Sequence, residues 1–248
     1  MPAYPVYALM VEFMAYTGLR ASEVAGLEVG DLTFAPGLCC SVNVRRTKER
    51  RSGTWVTGTP KSKRSRRTVP LPPWLAARMA DYLAEHPRAD EPTAPLWPGR
   101  TNAGGWRSTR GARVAKRRQT ALDWSEPVDM GTFYRRVFRP ALIAVGLPAS
   151  QPARPATETE PARHATAGVR LHDLRHTFAA QQLSAGIHFM QVSQWLGHST
   201  FTLTLDVYGD WIPEQDGGAA NDLPEPPAPQ RPAETSANVV NLFGRQSV

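Results

Sequence analysis

Leu171-His-Asp-Leu-Arg-His-Thr-Phe-Ala-Ala-Gln-Gln-Leu-Ser184, the later Leu196-Gly-His198 and, ten residues beyond that, Tyr208 form the stretch on which the reading of this chain turns. Leu171, Leu174 and Phe178 recur at helical spacing, so 171–184 reads as a helix with Gly186 as its stop. A second helix is expected over 188–196, ending at Gly197, and Ser199 or Thr200 is placed to cap a third, short helix that carries Tyr208. On the first helix His172 and Arg175 stand at i and i+3. They share a face, and both can meet one ligand.

Working outward, residues 4–17 are apolar almost all round and predict a buried helix ended by Gly18, with a short helix following through Ala21–Leu27. Leu38–Arg46, Gly53–Thr59 and Arg66–Leu71 are rich in strand formers and separated by turn-prone, basic residues, which predicts a three-stranded antiparallel sheet. Pro72 and Pro73 open a helix to about Glu85. Residues 99–127 read as irregular, 131–145 as helical despite Pro140, and 148–168, rich in Pro, Ala and Thr, as a flexible insertion. From 212 to 248 the chain is a Pro/Ala-rich tail without a folding pattern, apart from the apolar patch Val239–Phe243. The fold class is therefore α+β, mainly α-helical, with one small antiparallel sheet.

Charge narrows the partner. The net charge is +7, but six acids and only two bases fall in 209–248; removing them from 22 and 29 leaves 16 acids against 27 bases in 1–208, a formal +11. Seven Lys/Arg and no acid lie between Arg100 and Arg118. Such an excess points to a polyanion, because neutralising phosphates releases condensed counterions. No run approaches a membrane span and no signal-peptide pattern opens the chain, so a cytoplasmic protein is expected. Cys39 and Cys40, the only cysteines, are neighbours in an expected strand and face opposite sides, which argues against a disulfide between them and for inert, buried thiols.

Four separated segments carry the chemistry: Thr17-Gly-Leu-Arg-Ala-Ser-Glu23, Pro60-Lys-Ser-Lys63, Leu171-His-Asp-Leu-Arg-His176, and Leu196-Gly-His198 followed by Tyr208. In this order, over about residues 4–210, they resemble the catalytic domain of the tyrosine recombinase (phage integrase) family. The resemblance implies a DNA strand transferase without metal or cofactor, in which Arg20 and Arg175 clamp the scissile phosphate. His172 would hydrogen-bond it or assist proton transfer, His198 would donate to a non-bridging oxygen, Tyr208 would attack it, and Lys61 would protonate the leaving oxygen, with Lys63 on the same strand face as a competitor. Planar, permanently charged guanidiniums suit a phosphate whose charge grows in the transition state. Glu23, one turn beyond Arg20, is read as orienting an arginine or the helix start.

The resemblance further implies double-stranded DNA as partner and a tetramer on two DNA sites. Most relatives add an N-terminal helical domain that closes around DNA, and only three residues precede the first helix here, so residues 1–211 are read as the catalytic domain with that clamp absent. A type IB topoisomerase-like activity and a DNA-binding remnant unable to complete recombination are the alternatives. A zinc site at His172 and His176 is disfavoured: Asp173 stands where zinc proteases need glutamate, and Arg175 would repel a cation.

Overall fold

A computed structural model describes residues 5–36, 39–58, 66–101, 121–157, 161–162 and 164–212; Lys61 and Lys63, most of the basic run at 102–120 and the tail after 212 lie outside them. Helix α1 (Pro5–Thr17) is as deeply buried as its apolar sequence demands, with Tyr7, Met10, Phe13 and Met14 inside. Gly18, at φ +63°, turns the chain into the short α2 (Ala21–Ala25). Helix α3 (Pro73–Ala84) starts on a proline whose missing N–H costs nothing there, and buries Leu75, Ala76, Met79 and Tyr82. Phe13, Tyr82 and Trp97 meet in the centre of this core, edge-on and stacked. Burial of each such side chain contributes about 1.5–3 kcal/mol.

The three-stranded antiparallel sheet is present, with a different membership from the expected one. Its order is β1 (Leu32–Ala35), β2 (Cys39–Val44), then β5 (Arg67–Leu71), while β3 (Thr47–Arg51) and β4 (Thr54–Gly58) pair only with each other. The cause is the turn between them. Ser52 and Gly53 both take positive φ, 48° and 84°, the geometry of a two-residue hairpin that matches strand twist. With few apolar side chains to bury, β4 stays outside the core sheet, and Leu32–Ala35 takes the third place. The hairpin is anchored at its base by Arg46, which bridges Glu28 and the buried Asp31.

Two segments read as irregular prove partly ordered. Residues 99–127 open and close on an antiparallel ladder between β6 (Pro98–Arg100) and β7 (Leu122–Pro127). The 148–168 segment is closed at its base by bridges Ala149–Val169 and Gln151–Thr166, and the Tyr134 hydroxyl donates to the carbonyls of Ser150 and Val169. Pro140 is accommodated as expected: α4 (Met130–Phe133) widens into a π-helical stretch, Tyr134–Phe138, before α5 (Arg139–Ala144). A wider turn removes the clash that the proline ring makes with the preceding turn of an α-helix.

Helices α6 (Leu171–Ser184), α7 (Phe189–Leu196) and α8 (Thr202–Tyr208) follow the expected pattern and bury Phe178, Ala179, Leu183, Val192, Leu196 and Tyr208 together. One detail differs. The residue at the cap position of α8 is Phe201, which offers no side-chain cap, so neither Ser199 nor Thr200 holds that position. Cys40 is buried in β2 and its thiol is pushed up to about 11 by burial. Among the described residues no helix is long and apolar enough to cross a membrane.

Candidate active site

The site is assembled by two arginines that stitch distant segments together. Arg175, on α6 and only 2% exposed, donates to the carbonyls of Gly18 (2.8 Å) and Leu196 (2.7 Å). Glycine is required at 18: a Cβ there would lie 2.5 Å from Phe178 and 3.0 Å from Leu196, on a backbone already at positive φ. Arg67, on β5, forms a two-pronged ion pair with Glu23, both contacts at 2.8 Å, and its Nε donates to the carbonyl of Trp195 at 2.5 Å. Gly197, at φ +67°, lets the Arg67 guanidinium lie against the end of α7.

Glu23 also accepts from the backbone N–H of Arg20 at 2.7 Å and from its guanidinium at 3.1 Å, closing the start of α2. This is the orienting role expected of it. Burial alone would raise its carboxyl, but the Arg67 hydrogen bonds and the charges of Arg67 and Arg20 hold it below its ordinary value.

Around this frame the polar groups converge. Burial first, then the nearby Arg20 and Arg67, push Arg175 down to about 9, against the pull of Glu23 and Tyr208. His198, just past α7, is driven down to about 4 by burial and by Arg175, Arg20, Arg67 and His172; its Nδ1 lies 2.8 Å from the Thr204 hydroxyl. His172 is lowered by burial, His176, Arg175 and Arg20. The Tyr208 phenol, 5% exposed, is raised by burial and pulled back by Arg175, and its oxygen sits 2.6 Å from His176 Nδ1. Three guanidiniums thus share a pocket with one carboxylate, and their mutual strain is what an anion would relieve. Among the described residues no group of three or more His, Cys, Asp or Glu is placed to hold a metal ion.

No family model matches the chain. It is similar to a "Tyrosine recombinase XerC-like" protein of Caldanaerobacter subterraneus subsp. tengcongensis, 24% identical over 213 residues, covering 84% of this chain and 46% of the relative. It is also similar to an "Integrase" of Mycobacterium phage D29, 26% identical over 195 residues, covering 78% and 40%. Among solved structures, Tn1549 transposon integrase with a circular intermediate DNA superposes with TM-score 0.52 at 18% identity, over 84% of this chain and 55% of that one. The same integrase with transposon right end DNA gives 0.51, over 88% and 56%. Both superpositions show the same fold. In sequence this chain is similar to tyrosine recombinases and integrases. It spans about half the length of the relatives it matches.

Five of the residues singled out from sequence fall in one place. Arg20, His172, Arg175 and His198 act on one another electrostatically, and Tyr208 on α8 acts on Arg175. Lys61, the expected general acid, and its competitor Lys63 lie outside the described residues. Sequence reasoning missed Arg67 and weighed His176 only as a zinc ligand. Strand alternation could have found the first, since Arg67 shares a face with Val69 and Leu71, both buried. The second stands one helical turn after His172.

Proposed function

We propose that the chain is the catalytic domain of a site-specific DNA recombinase, which breaks and rejoins double-stranded DNA through a 3′-phosphotyrosyl intermediate. The Tyr208 oxygen attacks the scissile phosphorus, and the 5′-oxygen leaves. Arg20 and Arg175 brace the non-bridging oxygens, where negative charge accumulates; preorganised donors of this kind typically contribute about 3 kcal/mol each. His172 and His198 donate to the same phosphate. Lys61 protonates the leaving oxygen, and the 5′-hydroxyl reverses the sequence in the rejoining step.

The observation that carries this reading is the buried, cation-rich pocket in which the phenol of Tyr208 feels Arg175, itself held between Gly18 and Leu196. A phenol is about a thousandth ionised at neutral pH, so a nucleophilic tyrosine needs such a field. Pocket cations in excess of the single Glu23 supply it.

The test uses nicked suicide duplexes tiled across the DNA flanking the coding gene, in which the strand beyond the break diffuses away and traps the intermediate. An SDS-stable protein–DNA adduct is expected from the unaltered chain and none from Tyr208→Phe. Equal adduct from both refutes Tyr208 as nucleophile. No adduct from either on any duplex refutes retained strand cleavage.

A further inference from the structure

Tyr208 must lose its proton as it attacks phosphorus, and the group nearest that proton is not one of the phosphate ligands. His176 lies one turn beyond His172 on α6, and its Nδ1 is 2.6 Å from the Tyr208 oxygen. The rings are tilted at 51° with centroids 5.7 Å apart, so the contact is made by the ring edge rather than by stacking. The His172 ring meets that of His176 edge-on at 4.8 Å.

Resting on the reading above, we propose that His176, rather than His172, is the catalytic base that accepts the Tyr208 proton. In the resting state the imidazole carries its hydrogen on Nε2, and the phenol donates to Nδ1. On attack, the O–H proton passes to Nδ1, the phenolic oxygen bonds to phosphorus, and the P–O bond to the 5′-carbon's oxygen breaks. That oxygen takes a proton from Lys61. On rejoining, the 5′-hydroxyl attacks and returns its proton to Lys61, the phosphotyrosyl bond breaks, and the imidazolium returns its proton to the departing phenol. No co-reactant is consumed.

The charged and titratable groups around this pair fit the task. On α6 they are His172, Asp173 and Arg175, with Arg170 just before it, and at the start of α2 is Arg20. Asp173 feels the charge of His176, so a carboxylate stands ready to stabilise the imidazolium that forms. His172, kept neutral beside burial, His176 and Arg175, adds no repulsion. A neutral His172 remains suited to the phosphate. Each histidine therefore has one partner: His176 the nucleophile, His172 the substrate.

The experiment measures the single-turnover rate of adduct formation on a cleaved suicide duplex. His176→Gln keeps the size and a hydrogen-bonding group but cannot take a proton, and is expected to slow the adduct by about 100-fold, the lower end of general base contributions. In His176→Ala, added imidazole restores part of the rate, whereas the same imidazole does not restore His172→Ala. Should the alanine variant fail to fold, the glutamine variant decides by its rate: adduct formed within about threefold of the unaltered chain overturns the assignment. A slow His176→Ala that imidazole leaves slow, or rescue of His172→Ala instead, also overturns it while strand cleavage by Tyr208 stands. No adduct from the unaltered chain overturns both this and the reading on which it rests.

Discussion

The Glu23–Arg67 pair holds the frame of the site, and removing one half of it is the most telling perturbation. Both side chains are almost fully enclosed, 4% and 5% exposed. Glu23→Leu leaves the Arg67 guanidinium buried beside Arg20 and Arg175 with no carboxylate, and breaking such a pair from one side costs about 3–5 kcal/mol. Domains are stable by about 5–15 kcal/mol, so this loss is about a fifth or more of the total. Replacing both partners, Glu23→Leu with Arg67→Met, removes the stranded charge. What remains is the loss of the hydrogen bonds to the Trp195 carbonyl and from the Arg20 backbone N–H, about 1 kcal/mol each. Urea unfolding followed by circular dichroism at neutral pH measures all three variants, and the cycle is expected to return a coupling of about 3 kcal/mol. Acid gives an independent check. Glu23 has a folded pKa below its ordinary 4.5, so its contribution is complete above that value and is lost as pH falls through the folded pKa; Glu23→Leu flattens that part of the acid limb. A single Glu23→Leu within about 1 kcal/mol of the unaltered chain, or costs that simply add in the double variant, refutes the account of how the site is held.

Three further outcomes are expected. Gly18→Ala places a Cβ 2.5 Å from the Phe178 ring at positive φ, and strain and overpacking together cost about 2–4 kcal/mol, read as a lower urea midpoint; an unchanged midpoint contradicts the packing described. His198 is held neutral until about pH 4, so in NMR titration its ring stays uncharged well below the ordinary 6.5, and stability falls with acid between these values because the unfolded chain binds the proton first; a midpoint near 6.5 shows the ring is not enclosed among cations. Bound DNA phosphate moves that midpoint upward. EDTA leaves adduct formation unchanged if arginines alone offset the phosphate charge, and strong inhibition that added magnesium reverses counts against the arginine clamp.

Local pattern was enough to read the helices at 171–184 and 188–196 and the proline-opened helix from Pro73, because periodicity, glycine stops and first-turn prolines act within a few residues. It was also enough to single out Arg20, His172, Arg175, His198 and Tyr208, since their order along the chain is itself a pattern. Strand partnership was not local in that sense. The Ser52–Gly53 turn drew Thr54–Gly58 into its own hairpin and left Leu32–Ala35 to complete the core sheet. Pairing is decided by competition between tight turns and shared burial, and neither can be scored from one segment.

Composition and motif order carried the resemblance to a family, the expectation of a polyanionic partner and the choice of candidate reacting groups. Tertiary structure alone decided which cations constrain one another and what each polar hydrogen faces. Arg67 stands 44 residues from Glu23 and 128 from Trp195, and His176 reaches Tyr208 across 32. Hydrogen bonds act over about 3 Å and burial is a property of the packed whole, so contacts between such distant positions leave no periodicity or spacing to be read.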